Sequence, residues 1–114
     1  MRMWMVSPRQ MCDQHLLGEH FECHMIRSHL QKEYKIAGFV KSNCMEVRSL
    51  GKRHNALAKE MRRRGMRHKS PLKYVSVTYL PKEHRNAKVN KALAHQTLVG
   101  RCERCLERLL DEGT

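Results

Sequence analysis

Apolar residues recur at helical spacing in three stretches of the chain. In the first, Met11, Leu16, Phe21, Met25, Ile26 and Leu30 fall about a turn apart and no proline interrupts them, which predicts one long helix from about Met11 to Glu33. Ser7, Pro8 and Gln10 stand before it as a start signal: a hydroxyl for the cap, a proline where the missing N–H costs nothing, and a glutamine three residues after the cap. Gly38 marks the end of this helix or the loop beyond it. In the second stretch, opened by Ser49, Leu50, His54, Leu57 and Met61 share a face, and Gly65 falls where a left-handed C-terminal cap belongs. The third, with Val89, Leu93, Leu98, Cys102, Leu106 and Leu109, predicts a helix from about Asn90 to Leu110. Between Pro71 and Pro81, the run Tyr74 to Tyr79 is rich in β-branched and aromatic residues and reads as a short extended segment, which makes no sheet alone. The predicted fold is therefore mainly α: a compact single domain over residues 1–114, with about three helices, long connecting loops and a free tail from Asp111 to Thr114.

Composition narrows the classes of function. At 114 residues there is room for one core and not for a two-domain enzyme, while 40% hydrophobic residues exclude a disordered basic tail. No apolar run approaches the roughly 20 residues of a membrane span, and Met1 to Val6 is too short for a signal sequence. The expectation is a cytoplasmic protein, in a bacterium or a bacterial host, that acts as a monomer.

Charge changes the picture more. The formal net charge is +12, and it is concentrated. Residues 1–48 carry seven cations and five anions, residues 52–73 nine and one, and residues 74–114 seven and five. The central block, Lys52, Arg53, Lys59, Arg62, Arg63, Arg64, Arg67, Lys69 and Lys73, lacks counter-charge and points to a polyanion, nucleic acid first. An anionic membrane surface fits less well, because the block lacks the Trp, Phe and Leu face of an interfacial helix. With few aromatics, stacking on single strands is also disfavoured against duplex binding.

The predicted first helix carries the candidate chemistry. It places His15, Glu19, His20, Glu22 and His24 within ten positions, with His15, Glu19 and Glu22 on one face at i, i+4 and i+7. Gly18 lies on that face too, and a glycine inside a helix, costing about 1 kcal/mol against alanine, calls for a reason: close approach of a ligand or tight helix packing. His20 and His24 have the i, i+4 spacing of metal ligands, but the order HxExH turns Glu22 off their face, unlike HExxH. Five cysteines are an odd number for a disulfide framework and are expected as thiols. Cys102 and Cys105 form a CxxC with no second CxxC or HxxxH to complete a tetrahedron, so no metal or other cofactor is expected.

Met1-Arg2 followed by Asp13-Gln14-His15-Leu16-Leu17-Gly18-Glu19-His20-Phe21-Glu22 resembles the phage-type pyrimidine dimer DNA glycosylases (endonuclease V), which read Thr-Arg and then Asp-Gln-His-Leu-Met-Ala-Glu-Tyr-Arg-Glu at the same spacing. The resemblance continues more weakly through His54 to Gly65 and Leu80 to Arg85, and Arg101 aligns with a family arginine near the site. It implies a DNA repair enzyme, a glycosylase with abasic-site lyase activity on duplex DNA bearing a damaged or modified base. In that family the α-amine of the first residue attacks the sugar C1′, expels the base and forms a Schiff base that undergoes β-elimination, and a glutamate aligned with Glu22 handles protons. An α-amine suits the task because it ionises near about 8, against about 10.4 for a lysine.

Here Arg2 is bulky, which disfavours removal of the initiator, so the amine of Met1 itself is the expected nucleophile, with Glu22 as its acid/base. By the same resemblance Arg2, Gln14 and His15 lie near the phosphates and the lesion and Arg101 neutralises backbone phosphates, with His20 as a further polar contact. Arg62, Arg63 and Arg64 of the basic block extend the DNA-binding surface. The family's arginines beside its glutamate are replaced by Phe21 and Met25, and its aromatic C-terminal tail has no counterpart. Two alternatives stand beside this reading: a non-catalytic basic nucleic-acid-binding protein, and a metal-dependent nuclease using His15, His20, Glu22 and His24.

Overall fold

The helical periodicity is realised in shorter pieces than the pattern predicts. The computed structural model describes residues 1–68 and 70–112, so Lys69 of the basic block and the last two residues of the predicted tail lie outside the described residues. Among those described there are six helices rather than three: α1 (Asp13–Gln31), α2 (Ala37–Lys41), α3 (Leu50–Arg63), α4 (Lys82–Arg85), α5 (Lys91–Arg101) and α6 (Glu103–Glu112). Single 3₁₀ turns form at Pro8–Gln10 and Val47–Ser49, and Tyr74 to Tyr79 forms no strand. The mainly α class holds. No helix of the described residues is long and apolar enough to cross a membrane.

Two breaks shorten the first and third predicted helices, and the short α2 and α4 form in segments expected as loops. The Ser7 hydroxyl makes no capping bond, and Pro8–Gln10 completes one 3₁₀ turn before the chain becomes extended at Met11 and Cys12. Helix α1 then starts afresh with Cys12 as its cap, the Sγ accepting the His15 N–H at 3.4 Å. The predicted third helix is likewise interrupted at Cys102, whose φ of −125° and ψ of 107° are extended, so that α6 folds back onto the Pro8–Gln10 turn. There Arg108 donates to the Arg9 carbonyl through Nε at 3.1 Å and Nη2 at 2.9 Å. Helix α6 runs on through Asp111 and Glu112, where a free tail was expected.

Of the other local signals, the one at Gly65 is realised, whereas Gly38 lies inside α2 and the Ser49 hydroxyl makes no capping bond to α3. Gly65 has φ +81°, and the Gly65 N–H to Arg62 and Met66 N–H to Met61 carbonyl bonds, both 2.9 Å, form the paired closure of a Schellman cap on α3. Asn90 caps α5 by accepting the Leu93 N–H at 3.0 Å.

The core forms where α1 packs on α3, with Leu16, Cys23, Ile26 and Leu30 meeting Leu57 and Met61. The N-terminal segment joins it. Met3 is fully buried, its N–H donates to the Cys44 carbonyl at 2.7 Å, and Trp4, Val6 and Met11 are buried beside it. An N-terminus ordinarily frays unless tied down. Here two buried side chains within four residues of the amine hold it against α1.

Candidate active site

The anchored N-terminus places the Met1 amine 3.9 Å from Glu22 Oε1 on α1. Both line an open cavity of about 580 Å³ with Arg2, Trp4, His15 and Cys44. An adjoining cavity of about 410 Å³ shares Trp4, His15 and Glu22 and adds Gln14, Gly18, Phe21 and Met25. The Arg2 guanidinium lies over the Trp4 ring, 4.4 Å from its centre, which holds a cation at the cavity wall. Partial burial raises the Glu22 carboxyl above its usual range and the nearby Glu19 charge adds to this, while the Met1 amine, the Arg2 backbone and the Arg2 guanidinium pull the other way. A carboxyl raised in this way can carry and release a proton closer to neutrality than an exposed one. An amine beside it can add to an electrophilic carbon.

Glu19, expected on the same face, points inward. It is buried and held by Arg53 of α3, with Nε to Oε2 at 2.5 Å and Nη2 to Oε1 at 2.8 Å, and Arg53 Nη1 also reaches the Val6 carbonyl at 2.7 Å. This pair joins α1, α3 and the N-terminal segment behind the amine. Nothing in the spacing of residues 34 apart announces it. Gly18 lies in the open: a Cβ built there meets nothing within 4 Å, so tight helix packing is not its reason.

The structure divides the remaining expected DNA contacts. Arg2, Gln14 and His15 line the cavities, and Arg62, Arg63 and Arg101 are exposed. Arg63 also pairs with Glu60 at 2.5 Å. Arg64 is turned to internal work: its Nη1 meets Asp13 at 2.8 Å, Nε meets Glu60 at 2.8 Å, and Nη2 donates to the carbonyls of Pro8 and Met11. His20 is buried in a cluster with His24, His54 and His68, ring centres 4.7 to 5.2 Å apart, between α1 and α3. Burial, with the charges of His54, His68 and His24, lowers His20 to about 4. Packing thus draws His20 into the α1–α3 interface, where an outward-facing contact was expected. The cluster also separates His20 and His24 from Glu22, dispersing the four residues of the nuclease alternative.

A second grouping runs against the sequence expectation. Cys102 and Cys105 do find partners: Cys12 and His15 lie beside them, with all four side-chain ligand atoms within 4.8 Å of one another. A larger cavity, about 620 Å³, lies between α3 and residues 72–78, lined by Arg48, Lys52, Lys73, Arg85 and the exposed Tyr74.

Fold and cavity together describe a small, basic, helical protein with an amine and a carboxyl at one centre. A family profile described as pyrimidine dimer DNA glycosylase matches residues 1–74. That is about two thirds of the chain, and the chain belongs to this DNA glycosylase family. The matched span holds Met1, Arg2, Gln14, His15, Glu22 and Arg62 to Arg64, and stops short of Leu80 to Arg85 and Arg101. No curated protein and no solved structure gives a significant match.

Proposed function

We propose that the protein excises a damaged or modified base from duplex DNA and nicks the resulting abasic site, with the Met1 amine as nucleophile. The observation that carries this is the amine 3.9 Å from Glu22 in an open cavity, inside the span that matches the family. The neutral amine attacks C1′ of an extruded nucleotide, and the glycosidic electron pair leaves with the base. Loss of an amine proton and opening of the sugar ring leave an iminium between Met1 and C1′. Glu22 then takes part in removing the C2′ proton, the C3′–O bond breaks, and water releases the enzyme by hydrolysing the imine. Every group needed is supplied by this chain, so the reaction calls for no cofactor.

The exposed cations bind the phosphates on either side of the lesion without reading sequence. Arg62, Arg63 and Arg101 serve in this reading, with Lys52, Lys73 and the half-buried Arg85 around the larger cavity. Phe21 and Met25, both exposed at the cavity rim, offer apolar contact to an opened base step where the related enzymes carry arginines.

Borohydride trapping tests the reading. Untagged protein and an abasic-site duplex, with no divalent metal added, are expected to give a covalent protein–DNA adduct that is lost when residues are appended before Met1. Tight, salt-sensitive binding with no adduct would refute it and leave a non-catalytic nucleic-acid-binding protein.

A further inference from the structure

We propose that Cys12, His15, Cys102 and Cys105 bind a zinc ion that staples the first turn of α1 to the α5–α6 junction. The spacing is Cys-x2-His paired with Cys-x2-Cys, two short chelates from opposite ends of the chain. A tetrahedral zinc with ordinary bond lengths sets its sulfurs about 3.8 Å apart and a sulfur and a nitrogen about 3.6 Å apart. The observed separations are 3.8 Å for Cys12 Sγ to Cys102 Sγ, 3.7 Å for Cys105 Sγ to His15 Nδ1 and 3.2 Å for Cys12 Sγ to His15 Nδ1. These three separations lie within about 0.4 Å of a tetrahedron's edges, and all four ligand atoms lie within 4.8 Å of one another.

The backbone is shaped for the same end. Cys12 and Cys102 are the two places where a predicted helix breaks, each in extended conformation, and each break turns a sulfur toward the others. Two backbone amides face the sulfurs, Cys12 N–H to Cys105 Sγ at 3.3 Å and His15 N–H to Cys12 Sγ at 3.4 Å. Such bonds stabilise the thiolate charge that a bound zinc demands. Three thiolates and one imidazole close the coordination sphere, which marks a structural ion and leaves no open position for catalysis. Cys102 and His15 remain partly exposed, which gives the ion a way in.

The histidine cluster is the weaker candidate for a metal. His20, His54 and His68 also converge, but both ring nitrogens of His54 are engaged, Nδ1 with Asn55 and Nε2 with the Ser70 carbonyl, each at 3.0 Å. An ion there would have to break one of these bonds.

Zinc at the cysteine site would also set one wall of the cavity. His15 meets Trp4 edge to face, ring centres 6.0 Å apart, and lines the cavity beside Glu22. With Nδ1 on the metal, Nε2 carries the hydrogen and His15 offers the cavity a fixed donor.

Metal analysis of untagged protein purified without chelators should find about one zinc per chain. The reduced, metal-free protein should give with Co²⁺ the intense visible bands of a tetrahedral site and a thiolate charge-transfer band. Cys102→Ser and Cys105→Ser should each lose the zinc and melt at least about 10 °C lower. His15→Cys should retain it with a Co²⁺ spectrum shifted toward four thiolates, and His68→Ala should leave the stoichiometry unchanged. The proposal fails if reduced wild-type protein takes up neither metal, or if zinc survives in the doubly substituted Cys102→Ser, Cys105→Ser protein and is lost in His68→Ala. A Cys12–Cys102 disulfide with no metal uptake after reduction would also overturn it.

Discussion

Replacing Arg53 by methionine tests whether the buried ion pair holds the N-terminal segment in place. Methionine keeps most of the apolar stem, so the change acts on charge more than on volume. Glu19, fully shielded, would be left with no cation, and the Val6 carbonyl would lose its 2.7 Å donor. Removing one partner of a buried pair costs about 3–5 kcal/mol, and the lost hydrogen bond adds about 1 kcal/mol. Against a total of about 6–15 kcal/mol for a chain of this length, that is a large fraction, and it should lower the melting temperature by about 15–20 °C. Urea unfolding followed by far-ultraviolet circular dichroism measures it, provided the m-value is unchanged. The companion variant, Arg53→Met with Glu19→Leu, removes both charges and should regain most of the loss, to within about 1–2 kcal/mol of wild type. A single variant that loses less than about 1 kcal/mol, or a double variant no more stable than the single, would refute the reasoning.

Glu22→Gln should leave DNA affinity within a few-fold and reduce nicking by about 100-fold or more in single-turnover assays; equal loss of binding and nicking would contradict the acid/base role. His20 binds its proton only near pH 4 in the fold but at about its ordinary 6.5 when unfolded, so the unfolded chain takes up the proton first as the pH falls. Stability should be complete above about pH 6.5 and fall by up to about 3 kcal/mol toward pH 4, with His24 and His68 shifted in the same direction; a flat urea midpoint between pH 7.5 and 4.5 would exclude this. Gly18→Ala, with open space around its Cβ, should stabilise α1 by about 0.5–1 kcal/mol, and a lower melting temperature would show that the position is not free. Arg62→Ala should leave stability within about 0.5 kcal/mol and reduce the salt slope of DNA binding by about one, while Arg64→Ala should cost about 2–3 kcal/mol; the reverse order would overturn the division between surface and internal arginines.

What could be read from the chain was what depends on near neighbours. The Gly65 cap was legible because a left-handed residue after an apolar periodic run is a local requirement. The convergence of Met1 with Glu22 was legible only through resemblance to the family, since nothing in spacing alone relates residues 21 apart across a loop. The break at Cys102 was hidden because apolar residues continue at helical spacing on both sides of it, and the one at Cys12 because Ser7, Pro8 and Gln10 read as the start signal of the same helix. Charge was misleading in detail: of the nine cations in the central block, Arg53 and Arg64 are spent on internal carboxylates and carbonyls, which sequence counts as free.

The sequence by itself determined the helical class, the excess of positive charge and the kinds of groups available for chemistry, because periodicity, composition and local capping are properties of short segments. Tertiary structure alone decided which of those groups meet. Burial selected Glu19 and Arg53 as partners, drew His20 into the interface and brought Cys12 and His15 to Cys102 and Cys105. The Glu19–Arg53 pairing follows from the requirement that a buried charge find a partner wherever the fold places it, whereas His20 is buried among other imidazoles with its Nε2 unpartnered, and no local pattern records either outcome.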